Sequence, residues 1–180
     1  MTRLEDLLLA RSVRHGDFVL ASGQRSSFYI DCRLTTMSAE GMVLIGREGL
    51  RAIRQAAWQA SAIGGLTLGA DPVAYAIAAA SYAEGPPLDA FTVRKEPKQH
   101  GTRRLIEGNF AAGATVVVVE DVITSGSSAL RAIQAVLAEG GFVAGVLAVV
   151  DRQQGGREEL EAAGYDVRAL TTAAALGLRN

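Results

Sequence analysis

The sequence predicts an α/β fold in which a central parallel sheet is flanked by helices, and two observations carry this prediction. The first is the run of four valines at 116–119, a β-branched stretch that is too short for a buried helix. Such a run is typical of a strand that is covered on both faces of a parallel sheet. The second is the alternation of strand-like and helix-like segments along most of the chain, which favours helices on both faces of that sheet.

Length, charge and cysteine content narrow the class of protein. The 180 residues fit one domain, and we expect a small N-terminal part over about 1–37 followed by a core over about 38–180. The 18 basic and 19 acidic residues nearly balance, which does not suggest a surface for nucleic acid or for anionic membranes. The single cysteine, Cys32, excludes an intrachain disulfide and favours a cytoplasmic protein. No segment reaches the roughly 18 uninterrupted apolar residues that a membrane span needs.

The N-terminal part is expected to hold a helix and a hairpin, followed by a long helix. Leucines at helical spacing predict an amphipathic helix over residues 3–14. Two strand-like pieces, Phe18–Ala21 and Phe28–Asp31, flank a turn-rich segment, which suggests a hairpin or a hood over the core. A long helix is predicted over Ser38–Gln59, with its first residue as the N-cap.

The core is expected to begin with a strand, a helix and a second strand. The apolar segment Ala62–Leu68 is predicted to be the first strand. Asp71 as N-cap and Pro72 at the first helical position would start the helix Val73–Ala83. The strand Leu88–Val93 follows that helix, as expected for a parallel sheet.

The C-terminal half continues the alternation around the valine strand, which is predicted over Thr115–Glu120. A helix over Ser127–Glu139 follows, and then a second apolar strand over Phe142–Val150. A last helix, Glu158–Ala163, would lead to an edge strand near Val167–Thr171.

The segment directly after the valines carries the clearest functional signal. Glu120 and Asp121 are placed at the carboxyl end of a parallel strand, which is the edge where open α/β sheets bind ligands. Hydroxyls, a glycine and backbone N–H groups follow at a helix start, where an anion is favoured. A ribose 5-phosphate would satisfy both features, because the carboxylates accept hydrogen bonds from its hydroxyls while the loop binds its phosphate. The alternative is that the acids cap a loop and the serines are ordinary N-caps.

One basic segment does not fit the alternation of strands and helices. Residues Arg94–Asn109 include five lysine and arginine side chains, a histidine and a proline, with no apolar periodicity over most of their length. Loops of this length commonly act as lids or ligand clamps. A solvated charged loop is the alternative interpretation.

The motif around the acidic pair resembles the site of type I phosphoribosyltransferases that binds 5-phosphoribosyl 1-diphosphate (PRPP). It has the hydrophobic run, the Glu-Asp pair, Val-Ile-Thr and a small loop of serines and glycine. The resemblance implies the type I phosphoribosyltransferase fold, a central parallel sheet with helices and a small N-terminal hood. It also implies that PRPP is bound by the residues of the motif, which are Glu120, Asp121, Val122, Ile123, Thr124, Ser125, Gly126, Ser127 and Ser128.

Three further segments resemble orotate phosphoribosyltransferases in particular. They are the basic loop Arg94–Gly101, the hood-like segment Ser22–Asp31, and Val150-Asp151-Arg152-Gln153 at a strand end. The resemblance implies transfer of ribose 5-phosphate from PRPP to N1 of orotate in pyrimidine synthesis. It names Lys98, His100 and Asp121 as catalytic. It assigns the leaving diphosphate to four loop residues, which are Arg94, Lys95, Lys98 and His100. It assigns orotate to Tyr29, Thr124, Arg152 and Arg25.

The resemblance also implies a cofactor and an assembly. Mg²⁺ is expected, held mainly by PRPP oxygens with no dedicated protein ligands, because Mg²⁺ retains few protein ligands in phosphate sites. A homodimer is expected in which the loop 94–109 of one subunit completes the site of its partner.

The chain departs from the family pattern at two places and leaves two other functions open. Ala21 and the segment Ala70-Asp71-Pro72 stand where many members carry a lysine, and Arg25 could replace the first of these lysines. A phosphoribosyltransferase for a purine base is the nearest alternative, although the pattern of lysines and histidine argues against it. A PRPP-sensing regulator that binds nucleic acid would need a basic face or a further domain, and the charge balance and length suggest neither.

Overall fold

The computed structural model describes residues 1–19, 25–96 and 104–179. Helices and strands alternate along most of these residues, as predicted. In chain order the elements are α1 Arg3–Arg11, β1 Val13–Val19, β2 Arg25–Ile30, α2 Arg33–Thr36, α3 Ala39–Gln55, β3 Ala62–Leu66, α4 Ala70–Glu84, β4 Asp89–Val93, β5 Ile106–Gly108, β6 Thr115–Ile123, α5 Ser127–Ala138, β7 Phe142–Asp151, α6 Gly156–Ala162 and β8 Val167–Thr172. Within these described ranges, no helix combines the length and apolar character of a membrane span.

A six-stranded sheet forms the centre of the molecule, in the order β5-β4-β3-β6-β7-β8. Every neighbouring pair is parallel except β4 and β5, which are antiparallel. The predicted α/β class with a central parallel sheet is therefore confirmed. The antiparallel β5 was not predicted, because it lies inside the segment 94–109 that was interpreted entirely as a loop.

The valine run is buried on both faces of the sheet, as its sequence predicts. Val117 and Val119 pack into the apolar cluster that includes Ile45 and Ile77 from α3 and α4. Val116 and Val118 pack into a second cluster on the other side, which contains Ile133 and Val136 from α5. None of the four valines has exposed surface. Their side chains point alternately to the two faces of the sheet, and helices cover them on both faces.

The N-terminal hairpin begins earlier in the chain than predicted. Helix α1 ends at Arg11, and β1 already begins at Val13 and pairs with β2 in a separate two-stranded sheet. The buried hydroxyl of Ser12 shares a 2.7 Å hydrogen bond with Thr35, which fixes the chain at the point where the helix stops. The predicted helix over 3–14 is thus too long. The predicted strand end and turn at 20–24 lie outside the described residues.

The end of one helix in the core and the start of another differ from their predictions. The predicted helix Ser38–Gln59 ends at Gln55, although Ser38 does cap it by accepting a hydrogen bond from the N–H of Gly41 at 3.1 Å. Helix α4 begins at Ala70, so Asp71 lies inside its first turn and is not the N-cap. The Asp71 carboxylate instead accepts hydrogen bonds from the hydroxyls of Thr67 at 2.7 Å and Thr92 at 2.9 Å. The Asp71 carboxylate therefore binds these two hydroxyls and does not cap the helix.

Candidate active site

The carboxyl ends of β3, β6 and β7 meet at one edge of the sheet and form most of a cavity of about 350 Å³. Parallel register places Ile123 of β6 beside Asp151 of β7. The backbone N–H of Arg152 then donates to the carbonyl of Ile123 at 3.0 Å. The connection from β2 to α2 closes the opposite side with residues 29–33. Adjacent strand ends of the sheet and the hairpin therefore converge on a single cavity.

A second, smaller cavity of about 160 Å³ lies within the loop that follows β6 and is lined by residues 122–129 and Glu120. Strand β6 continues to Ile123, so the prediction that it ends at the acidic pair is wrong. Helix α5 begins at Ser127, as predicted, and its N-cap is Gly126, with a left-handed φ of 76°. No capping hydrogen bond from a side chain is seen there in the described structure. This argues against the interpretation of the serines as ordinary N-caps and leaves the helix N-terminus open to a ligand.

Helix α6 packs against this loop through Gly156, a residue that was not identified from the sequence. The N–H of Gly156 donates to the carbonyl of Thr124 at 3.0 Å. A Cβ atom on Gly156 would lie 2.5 Å from that oxygen and 2.6 Å from the nitrogen of Gly126. Only glycine permits this approach. The pair Gly155-Gly156 soon after Arg152 was the available signal in the sequence.

Glu120 and Asp121 both line the larger cavity, and Glu120 also lines the smaller one. Glu120 is only 6% exposed, and its Oε1 has no hydrogen-bond partner among the described residues. Burial and, to a lesser degree, the charge of Asp121 raise the pKa of Glu120 to about 8. Burial also raises the pKa of Asp121. The N–H of Val122, which donates to Oδ1 of Asp121 at 2.9 Å, has the opposite and smaller effect on this pKa. The pair is thus desolvated and retains acceptor capacity.

The raised pKa of Glu120 predicts a pH-dependent stability that a neutral substitution removes. The folded state holds the Glu120 proton more tightly than the unfolded chain, so this contribution is fully present below the unfolded pKa near 4.5 and is lost as pH rises to about 8. In the unliganded protein, Glu120→Gln should therefore gain about 1–4 kcal/mol of unfolding free energy relative to wild type between about pH 5 and about pH 9.

Urea denaturation of both proteins across this pH range measures the effect. Glu158→Gln, a change at an exposed acid on α6, serves as the control and should follow the wild type. A constant difference between Glu120→Gln and wild type at all pH values would contradict the assignment of a raised pKa.

Arg152 lies buried at the base of the larger cavity, where 7% of its surface is exposed. Its guanidinium lies 5.0 Å from the ring centroid of Phe28, and Nη2 donates to the hydroxyl of Ser26 at 3.4 Å. Its Nε has no hydrogen-bond partner within the described residues. Burial lowers the pKa of Arg152. A buried guanidinium with an unused donor is suited to a planar anionic ligand group and is not an ordinary surface ion pair.

The two predicted hood residues differ in their placement. Tyr29 lines the larger cavity, and its ring lies 5.7 Å from that of Phe18. Arg25 is exposed and lies 3.3 Å from Asp17 across the hairpin, and the structure does not bring it to the described wall of the cavity. Neither Phe28 nor Ser26, the contacts of Arg152, was identified from the sequence.

The basic segment contributes Lys95 to the described cavity. The carbonyl of Lys95 accepts a 2.9 Å hydrogen bond from Nη2 of Arg131 on α5, which ties the start of the segment to the helix behind the loop. Arg94 is directed differently, because its side chain lies 3.9 Å from Glu107 and outside the described cavity wall. Lys98 and His100 lie outside the described residues. The end of the segment forms β5, which corrects the prediction of an unbroken loop over 94–109.

The loop between β3 and α4 forms a further wall that sequence reasoning did not assign. Thr67, Leu68 and Gly69 line the larger cavity, and the peptide between the first two is cis. A Cβ on Gly69 would lie 2.5 Å from the Asp121 carboxylate, so this wall contacts the acidic pair directly. The hydroxyl of Thr67 donates to the Asp71 carboxylate at 2.7 Å, so this carboxylate helps to hold the loop.

Taken along its length, the site offers three kinds of binding group in a fixed order. Backbone N–H groups and hydroxyls at the start of α5 suit a phosphate. The acidic pair suits sugar hydroxyls, and the guanidinium of Arg152 suits a carboxylate. The arrangement can therefore bind a phosphorylated sugar beside a planar acid.

Comparison with known proteins identifies relatives that match nearly the whole chain. Orotate phosphoribosyltransferase of Mycobacterium avium is 47% identical over 178 residues, which cover 99% of this chain and 97% of the relative. The corresponding protein of Aquifex aeolicus is 46% identical over 171 residues, which cover 93% of this chain and 92% of the relative. No family model matches the sequence.

Solved structures show the same relationship. The orotate phosphoribosyltransferase of Mycobacterium tuberculosis in complex with PRPP superposes with a TM-score of 0.82 at 43% identity, covering 97% of both chains. An adenine phosphoribosyltransferase from Leishmania donovani has a TM-score of 0.67 at 18% identity, which indicates a shared fold alone.

Proposed function

The chain belongs to the orotate phosphoribosyltransferase family, and on this premise we propose that it transfers ribose 5-phosphate from PRPP to N1 of orotate. The products are orotidine 5-monophosphate and pyrophosphate, in the pathway of pyrimidine synthesis. The observation that carries the proposal is the convergence of the loop after β6, the acidic pair and Arg152 on two cavities that share lining residues.

The ribose 5-phosphate portion of PRPP has matching groups in the described site. The loop Thr124–Ser128 binds the 5-phosphate, because its backbone N–H groups lie at the open N-terminus of α5. Glu120 and Asp121 bind the 2- and 3-hydroxyls of the ribose. The raised pKa of Glu120 leaves this side chain able to donate a hydrogen bond when protonated as well as to accept one. Val122 and Ile123 carry the chain from these acids into the phosphate loop.

Orotate is placed between the hairpin and the end of β7. Arg152 contacts its carboxylate, since its Nε is unused and its guanidinium is held against Phe28. Tyr29 and Thr124 line the same cavity and contact the pyrimidine. For Arg25 the resemblance alone supports a role, because its described contact is with Asp17.

Loss of the diphosphate is the step in which negative charge develops. As the bond from C1 to the diphosphate lengthens, the ribose becomes oxocarbenium-like and the leaving group gains charge. Lys95, on the cavity wall, stabilises this charge together with the family's loop residues Arg94, Lys98 and His100. Closure of that loop excludes the water that would otherwise hydrolyse PRPP.

The expected metal is Mg²⁺, and the oxygen-rich site fits it. The described residues contain no cluster of three or more acidic, histidine or cysteine side chains that could hold a metal by themselves. The carboxylates of Glu120 and Asp121 are hard oxygen ligands of the kind that Mg²⁺ prefers, and Oε1 of Glu120 has no described partner. Bound Mg²⁺ would neutralise diphosphate charge, held mainly by PRPP oxygens beside these acids.

The direct test is pyrophosphate release from PRPP and Mg²⁺ with different bases. Orotate should support turnover, whereas uracil, adenine and hypoxanthine should support little. Turnover with a purine in preference to orotate would favour the purine enzyme. Binding of PRPP without turnover on any base would favour the sensor. The buried guanidinium of Arg152 favours the acidic base orotate.

We further propose a cytoplasmic homodimer in which the loop 94–109 completes the partner's site. The hairpin contributes Phe28 and Tyr29 to the site, which supports one domain with a hood over about 1–37 and a core over about 38–180. The hydrogen bond between Lys95 and Arg131 holds the start of the loop at the wall of the larger cavity, and the family resemblance supports its contribution to a partner's site.

Subunit mixing tests the shared site. Lys98→Ala and Asp121→Asn should each have little activity alone, whereas a mixture that exchanges subunits should regain activity. One of the two sites in each mixed dimer then has both an intact Lys98 and an intact Asp121. Because about half of the dimers are mixed after random exchange, at most about a quarter of the wild-type activity is expected. Demonstrated exchange without regained activity would refute the shared site.

A further inference from the structure

Two arginines, Arg33 and Arg152, lie on the described wall of the larger cavity, and Arg33 is held by a neighbouring carboxylate. Its Nε donates to Oδ1 of Asp31 at 2.8 Å, and its Nη2 donates to Oδ2 at 3.0 Å. The same contact lowers the pKa of Asp31, so the pair stays ionised at neutral pH. A two-point contact of this kind fixes the plane of the guanidinium.

The position of Arg33 is on the wall of the larger cavity that also contains the loop Thr67–Gly69 and Lys95. Its positive charge acts on Asp121, where it lowers the pKa against the effect of burial. Arg33 also lines an outer groove with Leu68, so it lies at the rim of the cavity rather than at its base. About half of its side chain, 47%, is exposed, which leaves it accessible to a ligand.

Donor capacity remains on the Arg33 guanidinium after Asp31 is satisfied. A guanidinium has five N–H groups, and the contact with Asp31 engages one on Nε and one on Nη2. The two N–H groups of Nη1 and the second one of Nη2 are left for other acceptors. Such a pre-oriented edge matches the oxygens of a phosphate group.

The two ends of PRPP then require separate cationic or amide sites. The loop Thr124–Ser128 accounts for the 5-phosphate, and Arg152 is committed to the wall formed by Phe28 and Ser26. With the 5-phosphate in the loop after β6, the diphosphate at C1 would extend beyond the acidic pair toward the part of the cavity wall that contains Arg33, Lys95 and the loop Thr67–Gly69.

We propose that Arg33, oriented by Asp31, is a substrate-binding residue that contacts the diphosphate of PRPP and of the pyrophosphate product. This assignment rests on the proposed function. It adds Arg33, which lies on the described wall of the larger cavity, to the cationic residues that bind the diphosphate. The competing interpretation is that Arg33 and Asp31 form an ordinary surface ion pair, which would contribute little to ligand binding.

Binding of pyrophosphate in the presence of saturating ribose 5-phosphate and Mg²⁺ separates these interpretations, because the sugar phosphate then fills the loop after β6. Arg33→Ala should raise the dissociation constant of pyrophosphate and the KM for PRPP about 10- to 100-fold. The dissociation constant of ribose 5-phosphate and the KM for orotate should change less than about twofold. Arg33→Lys should recover only part of the loss, because a lysine cannot make the two-point contact with Asp31.

Arg54→Ala is the matched control. Arg54 is also half-exposed and paired with an acid, Glu84, at 3.0 Å, but it lies on α3 away from the cavity. This variant should bind pyrophosphate as the wild type does. Unchanged pyrophosphate binding in both Arg33→Ala and Arg33→Lys would overturn the proposal, as would an equal loss for ribose 5-phosphate. Thermal melting checks folding, and if Arg33→Ala does not fold, Arg33→Lys decides the result. Absence of wild-type turnover with orotate would instead refute the proposed function.

Discussion

Replacing Arg152 with alanine should lower kcat/KM for orotate roughly 30- to several-thousand-fold, while kcat/KM for uracil is retained. This factor corresponds to a loss of about 2–5 kcal/mol of transition-state stabilisation. The expected loss is large because the guanidinium is buried and its Nε has no described partner, so a substrate carboxylate would meet a desolvated donor. Uracil lacks this carboxylate and therefore does not depend on the contact. The measurement is the ratio of kcat/KM for the two bases in the wild type and in the variant.

Two further variants control this experiment. Arg152→Lys should recover little activity, since a lysine cannot present a planar pair of donors to a carboxylate. Arg168→Ala removes an exposed arginine of β8 that pairs with Asp166 at 3.2 Å, and it should leave both bases unaffected. An equal loss of activity with orotate and uracil in Arg152→Ala would show that the arginine supports the fold of the site through Phe28 and Ser26 rather than recognising the carboxylate.

Asp121→Asn should reduce kcat/KM for PRPP about 10- to 100-fold without reducing stability. The loss of activity follows from weakening one or two charge-assisted hydrogen bonds to the ribose hydroxyls, at about 1.5–3 kcal/mol for each such bond. Stability should stay equal or rise slightly at neutral pH, because burial raises the pKa of Asp121 and so disfavours its charged form in the folded protein. The asparagine oxygen can still accept the N–H of Val122.

Steady-state kinetics with PRPP and urea denaturation together test this prediction. Asp89→Asn, a change at an exposed acid where β4 begins, is the control and should leave kcat/KM unchanged. A wild-type kcat/KM for PRPP in Asp121→Asn would exclude the ribose contact. A parallel fall in stability and activity would instead indicate a structural role for Asp121.

The functional centre of the chain was predictable because its signal is local. The valines that form β6, the acids beside them and the small hydroxyl loop before α5 are adjacent in sequence, and their chemistry does not depend on distant partners. The hairpin was also predicted, although its bounds were wrong. Its strand β1 is largely polar and exposed, so hydrophobic periodicity gives little information about where that strand begins.

Contacts between distant parts of the chain explain most of the remaining differences. Asp71 has a suitable sequence position for an N-cap, but in the folded protein its carboxylate accepts a hydrogen bond from the hydroxyl of Thr92, 21 residues away, as well as one from the nearby Thr67. Likewise, β5 is a short segment that becomes a strand by pairing with the edge of β4. Neither partner is recognisable from the local pattern.

The sequence by itself determined the α/β class, the central valine strand, the hydroxyl-rich loop before α5 and the family resemblance, because each depends on residues that lie close together in the chain. Only the tertiary structure placed Arg152 against Ser26, 126 residues away, and brought Arg33 and the loop Thr67–Gly69 to the same cavity as the acidic pair. It also decided the raised pKa of Glu120. That shift arises chiefly from burial, and burial depends on how separate elements pack around the carboxyl group.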